Sequence, residues 1–250
     1  MSLQRRTEVL RRSLLAIAIA VCVAFVLTAA KRDARWQLCS TAAPDVRIRA
    51  CTAIITSGYE PADGLSRAFS NRGAAYRRQG APIQAMEDYD QAVRLSGTNS
   101  RAFHNRGVLY GEQKRYDLAL ADLDKAIVLD PEYANAWNAR CWTKVLMGDL
   151  AEAVGDCTTS LTLHAVDAVT LASRALAYLR LKQTDQAIAD YDAALKLTPQ
   201  SAVSLFGRGV AKRMKGDASA AADMAAAKAI DAGIAEQFEE YGVSSPPITE

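Results

Sequence analysis

Apolar and polar residues follow two superposed periods along this chain. Locally the apolar positions return every three or four residues, the spacing of one buried face of an α-helix. Over a longer range the whole pattern returns every 34 residues. FSNRGAAY at 69–76 and FHNRGVLY at 103–110 open two of the copies, and an arginine marks all five: Arg72, Arg106, Arg140, Arg174 and Arg208. Three positions earlier stands a large apolar residue, Phe69, Phe103, Trp137, Leu171 or Leu205. A small residue follows, Gly73, Gly107, Cys141, Ala175 or Gly209. A second stripe comes later in four of the copies. It begins at Ala85, Ala119, Ala153 and Ala187, continues at Tyr89, Leu123, Cys157 and Tyr191, and ends at Ala92, Ala126, Ser160 and Ala194. Pro131 and Pro199 close two of the units, where a helix must stop. One helix pair cannot bury such faces alone, so the copies must stack on one another.

Each arginine has an aspartate at a fixed distance. Asp88, Asp122, Asp156 and Asp190 lie sixteen residues after the first four, and Asp223 lies fifteen after the last, where the turn is one residue shorter. In a helical hairpin these positions face each other. The spacing predicts five pairs: Arg72–Asp88, Arg106–Asp122, Arg140–Asp156, Arg174–Asp190 and Arg208–Asp223. A planar guanidinium suits them because its fork holds a carboxylate at two points. The competing reading, a row of arginines gripping phosphates or acidic peptides, has to explain why every arginine carries its own counter-charge.

The two ends differ from the array. Residues 1–30 hold a basic head with four arginines, then a run from Leu14 to Ala30 without a charge, and KRDAR follows. A basic head before an apolar run reads as an export signal or as a membrane anchor with its arginines in the cytoplasm. Either reading places the remainder outside the cytoplasm. Leaving out residues 1–30 removes four of 30 basic and one of 28 acidic residues, so the remainder carries a net charge near −1. The slight basicity of the chain therefore belongs to its leader, and nothing global favours nucleic acid.

Half of the residues are hydrophobic and only 7% are aromatic, with alanine abundant, a composition that favours an all-α protein. Cys39, Cys51, Cys141 and Cys157 remain outside the leader, where Cys22 lies. Cys39 and Cys51 flank the Pro44-Asp45 turn and read as a disulfide in an oxidising compartment, or else as two buried thiols. Cys141 and Cys157 read as a second disulfide or a close-packed thiol pair. Neither pair has the CxxC spacing of a zinc site. Residues 31–65 read as an amino-terminal helical cap, with a helix over 44–58 turning Ile48, Cys51 and Ile55 inward beside Trp36 and Leu38. Residues 234–243 read as a carboxy-terminal capping helix with Ile234, Phe238 and Tyr241 on one face, and 244–250 as a disordered tail.

The period and FHNRGVLYGEQKRYDLALADLDKAIVLDP (103–131) resemble the tetratricopeptide repeat family, in an exported or membrane-anchored bacterial form. The resemblance covers residues 66–235 in units 66–99, 100–133, 134–167, 168–201 and 202–233. It implies a right-handed superhelical solenoid of helix-turn-helix repeats whose first helices line a concave groove. It also implies which positions face that groove, counted from each arginine. These are Ser70, Asn71 and Arg77 in unit 1; His104, Asn105 and Val108 in unit 2; Asn138, Trp142 and Val145 in unit 3; Leu176 and Leu179 in unit 4; and Phe206 and Val210 in unit 5. Arg67 and Arg101 make the early part basic, while the later units make it apolar around Trp142; Trp142, Val145 and Leu179 read equally as packing inside the superhelix against neighbouring repeats. The carboxylate clamp of some relatives is not matched, because Ser70 and Ala74 stand where it needs polar or charged side chains.

No Gly-rich phosphate loop, GxSxG elbow or metal-ligand cluster occurs in the sequence. His104 alone does not make a catalytic site. The sequence reads as a non-catalytic scaffold of the cell envelope without cofactor, binding a protein or peptide partner and no nucleic acid, and held at the inner membrane if the leader is uncleaved. A chaperone-like binder of exported unfolded segments is the alternative.

Overall fold

The structure, a computed structural model, describes residues 32–164 and 166–244. The expected leader at 1–30 and nearly all of the expected tail lie outside them. Every regular element among the described residues is a helix, and none of these is long and apolar enough to cross a membrane.

The chain divides after Gly97 into two compact units. In the first, α1 (32–41) and α2 (Pro44–Ile55) form a hairpin, followed by α3 (Ala62–Arg78) and α4 (Pro82–Leu95). Helix α2 packs on α3, and α3 on α4. The second unit begins with α5 (Ser100–Glu112), α6 (Tyr116–Leu129), α7 (Ala134–Met147) and α8 (Leu150–Leu163). It continues through α9 (Ala168–Arg180), α10 (Thr184–Leu197), α11 (Ala202–Met214) and α12 (Ala220–Ile230) to the short α13 (Ile234–Glu240). From α5 to α12 each helix packs on the next, and the first helices also touch one another: α5 on α7, α7 on α9, and α9 on α11.

Local chemistry sets the ends of these helices. The side chains of Asn99, Asp167 and Ser201 accept hydrogen bonds from amides in the first turns of α5, α9 and α11. Pro44 and Pro82 begin α2 and α4, where a missing N–H costs nothing. The turn inside each repeat is closed by a residue with left-handed backbone, at Gly80, Lys114, Gly148, Lys182 and Gly216. The amide after each returns to a carbonyl five residues back: Ala81 to Tyr76, Arg115 to Tyr110, Asp149 to Lys144, Gln183 to Tyr178 and Asp217 to Lys212. That bond satisfies a carbonyl the helix end would leave open. The 34-residue period is thus written in the backbone as well as in the side chains.

Close helix contact explains the small residue after each arginine. A Cβ on Gly73 would lie 2.7 Å from the Tyr89 ring, and one on Gly209 would lie 2.5 Å from Met224. In the fifth copy the missing residue is absorbed before α12, where the Asp217 carboxylate accepts from the Ser219 amide. Helix α12 spans 11 residues where α6, α8 and α10 span 14.

Both caps differ in detail from the sequence expectation. In α2 the buried residues are Ala50, Cys51 and Ile54, while Ile48 and Ile55 are half-buried and Leu38 is exposed. The disulfide at Cys51 fixes the rotation of α2, and that register brings Ile54 inward. At the other end α13 packs on α11 and α12 as a cap should, but Tyr241 at its end also meets Trp142 of α7, and the turn at Gly242 lies beside Arg180 of α9.

Candidate functional site

All five arginines meet their aspartates at two points. Nε and one terminal nitrogen of Arg72, Arg106, Arg140, Arg174 and Arg208 donate to the two oxygens of Asp88, Asp122, Asp156, Asp190 and Asp223, at 2.6–2.9 Å. The other terminal nitrogen reaches back to the preceding hairpin. Arg72 donates to Thr52, Arg140 to Asp124, Arg174 to Thr158 and Arg208 to Asp192. Aromatic rings wall the cations, with Trp137 4.7 Å from Arg140 and Phe69 5.3 Å from Arg72. Hydrogen bonds donated to the carboxylates outweigh burial and raise the pKa of Arg72, Arg140, Arg174 and Arg208. Burial pushes the Asp223 carboxyl up, but Arg208 and Lys212 donate to it and hold it below the usual carboxylate range. These cations are fully engaged inside the protein. The acceptors in the preceding hairpin escaped the sequence reading, although their signal is plain: each of Asp124, Thr158 and Asp192 stands two residues after a paired aspartate.

The inner face is built from the first helices. In the first unit Arg67 is exposed and lies 5.0 Å over the Trp36 ring, and the Asn71 amide reaches the Cys39 sulfur at 3.9 Å. Arg77 is half-buried. Ser70, expected in the groove, is buried instead, because α1 covers this side of α3. In the second unit Arg101 is exposed, and His104, Asn105, Val108, Asn138 and Trp142 are half-buried. Nδ1 of His104 lies 3.2 Å from both the Tyr133 hydroxyl and the Asn105 side-chain oxygen.

Besides Ser70, five expected groove residues are not open to a partner in this structure. Val145, Leu176, Leu179, Phe206 and Val210 are all buried, and they share one core with Ile234, Phe238 and Val243. The chain's own carboxy-terminal segment covers them. Phe238 stacks 4.9 Å from Phe206, and Tyr241 meets Trp142 edge-on at 5.1 Å. An unpartnered apolar stripe gains more by burial than by exposure, and the nearest apolar segment is tethered to it.

Family models of the tetratricopeptide repeat match residues 100–133 and 168–201, the hairpins α5–α6 and α9–α10. Both hairpins are tetratricopeptide repeats. The chain's fold is similar to that of YrrB, a repeat protein described as having an unusual peptide-binding site. That structure is 18% identical with a TM-score of 0.57, and the match covers 78% of this chain and 100% of YrrB. It is also similar to PilF of Pseudomonas aeruginosa, 21% identical with a TM-score of 0.63, over 85% of this chain and 92% of the other. At such identities the likeness is one of fold. A FAM10 family protein of Arabidopsis thaliana is 39% identical over 85 residues, 34% of this chain, and the match spans only 19% of that relative's length.

The repeat frame explains the cysteines. Cys141 occupies the small position after the arginine and Cys157 the large position opposite it, so a disulfide stands where the first two units set Gly73 against Tyr89 and Gly107 against Leu123. Cys39 and Cys51 are bonded likewise between α1 and α2. Thr52, next to Cys51, accepts from Arg72 just as Thr158, next to Cys157, accepts from Arg174. The amino-terminal cap is therefore a degenerate repeat hairpin, with Leu38 in the arginine's place and a shorter turn. Among the described residues no group of histidine, cysteine or acidic side chains could hold a metal ion.

Proposed function

We propose that this tetratricopeptide repeat protein is a non-catalytic scaffold of the cell envelope, recruiting a protein or peptide partner to the inner face of its first helices. The observation that carries the reading is the division of labour among side chains. The five arginines fork onto aspartates as braces inside their hairpins, while Arg101, His104, Asn105 and Asn138 stand on the inner face of α5 and α7, on another side from those fork pairs. Two disulfides suit an oxidising compartment. That agrees with an apolar leader that exports the chain or anchors it at the inner membrane. The chaperone reading needs a broad apolar groove open to many segments, and it is disfavoured because the chain covers that half itself.

The test is a photo-crosslinking amino acid at Asn105 in intact cells, with cell fractionation and identification of captured proteins by mass spectrometry. A single dominant partner in the envelope fraction supports the scaffold. A broad smear of unrelated exported chains favours the chaperone, and capture only of cytoplasmic proteins overturns the envelope assignment.

A further inference from the structure

The segment 234–243 occupies the inner face as a bound peptide would. Helix α13 sets Ile234 and Phe238 against the core, Tyr241 at its end meets Trp142, and Val243 beyond the turn at Gly242 is buried. Its anchors follow a simple order: a branched apolar residue, an aromatic four later, an aromatic seven later and a valine nine later. Glu236, Glu239 and Glu240 between them are exposed. The fit is incomplete at one place. The Arg180 guanidinium donates to the Val145 carbonyl and meets no carboxylate among the described residues. A Cβ at Gly242 would lie 3.5 Å from it, yet glycine offers it nothing. The resident segment thus places no carboxylate on this half-buried cation.

We propose that the inner faces of α7, α9 and α11 form the docking groove for an acidic, aromatic-anchored segment of a partner protein, and that residues 234–243 are the stand-in that fills it at rest. The proposal rests on the scaffold reading and names the class of partner. A tethered segment competes at an effective concentration of about 1 mM, so a partner must bind more tightly than the stand-in does. A carboxylate placed over Arg180 is the interaction the stand-in lacks. Segments with the same anchors but no acid there compete poorly.

The probes are two fluorescein-labelled peptides, IAEQFEEYGV and a version with glutamate at the position of Gly242, read by fluorescence anisotropy against the full chain. Phe238→Ala with Tyr241→Ala releases the stand-in. This variant is expected to bind the parent peptide at least tenfold more tightly than the unaltered chain does. The glutamate version is expected to bind about threefold or more tighter than the parent peptide, a gain that Arg180→Gln removes. Equal affinity of the released and unaltered chains, with helical circular dichroism intact, overturns the proposal. Should the released variant lose its helical signal, hydrogen exchange on the unaltered chain decides. Faster exchange at 234–243 on saturation with the glutamate peptide supports displacement, and unchanged exchange overturns it. A dimer crosslinked between position 241 of one copy and position 142 of another also overturns it, in favour of exchange between copies. A partner captured at Asn105 without any peptide effect leaves the scaffold standing and removes this inference. Peptide displacement without a captured partner does the reverse.

Discussion

Arg174→Ala is the most direct test of the brace. The guanidinium donates to Asp190 at 2.7 and 2.8 Å and to Thr158 at 3.1 Å, and its removal leaves a carboxylate whose side chain is only 11% exposed. Exposed ion pairs contribute at most about 1 kcal/mol, whereas breaking a buried one costs about 3–5 kcal/mol. The arginine side chain is 19% exposed, so the pair lies nearer the buried limit, and a loss of roughly 2–4 kcal/mol is expected. Arg174→Lys keeps the charge but loses the fork and the bond to Thr158, for a loss of about 1–2 kcal/mol. Urea unfolding followed by circular dichroism at 222 nm measures each variant alongside Asp190→Ala and the double substitution. The double substitution should cost about 2 kcal/mol less than the sum of the two single ones. If the two losses add to within about 0.5 kcal/mol, the residues do not interact and the brace argument fails.

The other predictions use the same unfolding measurement. Lys182→Gly should stabilise the chain by about 0.5–1 kcal/mol, because Lys182 is held at φ 60° where glycine is unstrained; destabilisation would contradict the turn geometry. Tyr191→Phe should raise stability by about 1 kcal/mol, since the hydroxyl is buried without a hydrogen-bond partner among the described residues, and a clear loss would mean that a partner exists. Reduction of Cys141–Cys157, read against a Cys39→Ala/Cys51→Ala background, should cost about 3 kcal/mol for a loop of this length, and no change in midpoint would count against a stabilising cross-link. Asp223 titrates below its ordinary value, so its contribution is fully present above about pH 4 and fades as the pH falls further. Asp223→Asn should flatten that part of the stability–pH curve.

How much of this was legible depended on whether an interaction stays inside one period. Arg140 and Asp156 sit at a fixed separation within a hairpin, so the sequence announces them. The third bond of the same arginine crosses to Asp124 in the preceding hairpin, and its signal surfaces only when neighbouring copies are compared. The left-handed turn residues were hidden for another reason. Gly148 signals its backbone, but Lys114 and Lys182 adopt the same conformation with side chains that ordinarily avoid it. Ser70 and Val145 occupy inner-face positions in the repeat pattern, yet their exposure is set by elements outside the repeats, α1 and the segment after α12. A repeat pattern gives each position a direction and says nothing of what lies in front of it.

That distinction bears on how the inner face can change. Two residues after each arginine the chain reads Ala74, Val108, Trp142, Leu176 and Val210, and five after it reads Arg77, Gly111, Val145, Leu179 and Arg213. The larger apolar residues gather in the copies that 234–243 overlies. An open face of that composition would be an aggregation hazard, so the segment and the face depend on each other. The braces belong to a separate set of contacts, made between first and second helices, and their fork bonds involve none of the residues of 234–243. Rigidity of the repeats and occupancy of the groove are therefore separable. Trp142→Ala should loosen Tyr241 and Val243 while leaving the Arg140–Asp156 pair in place. Amide exchange that rises at 238–243 but stays unchanged across α8 is the signature of that separation, and a rise in both would show that groove and brace form one cooperative unit.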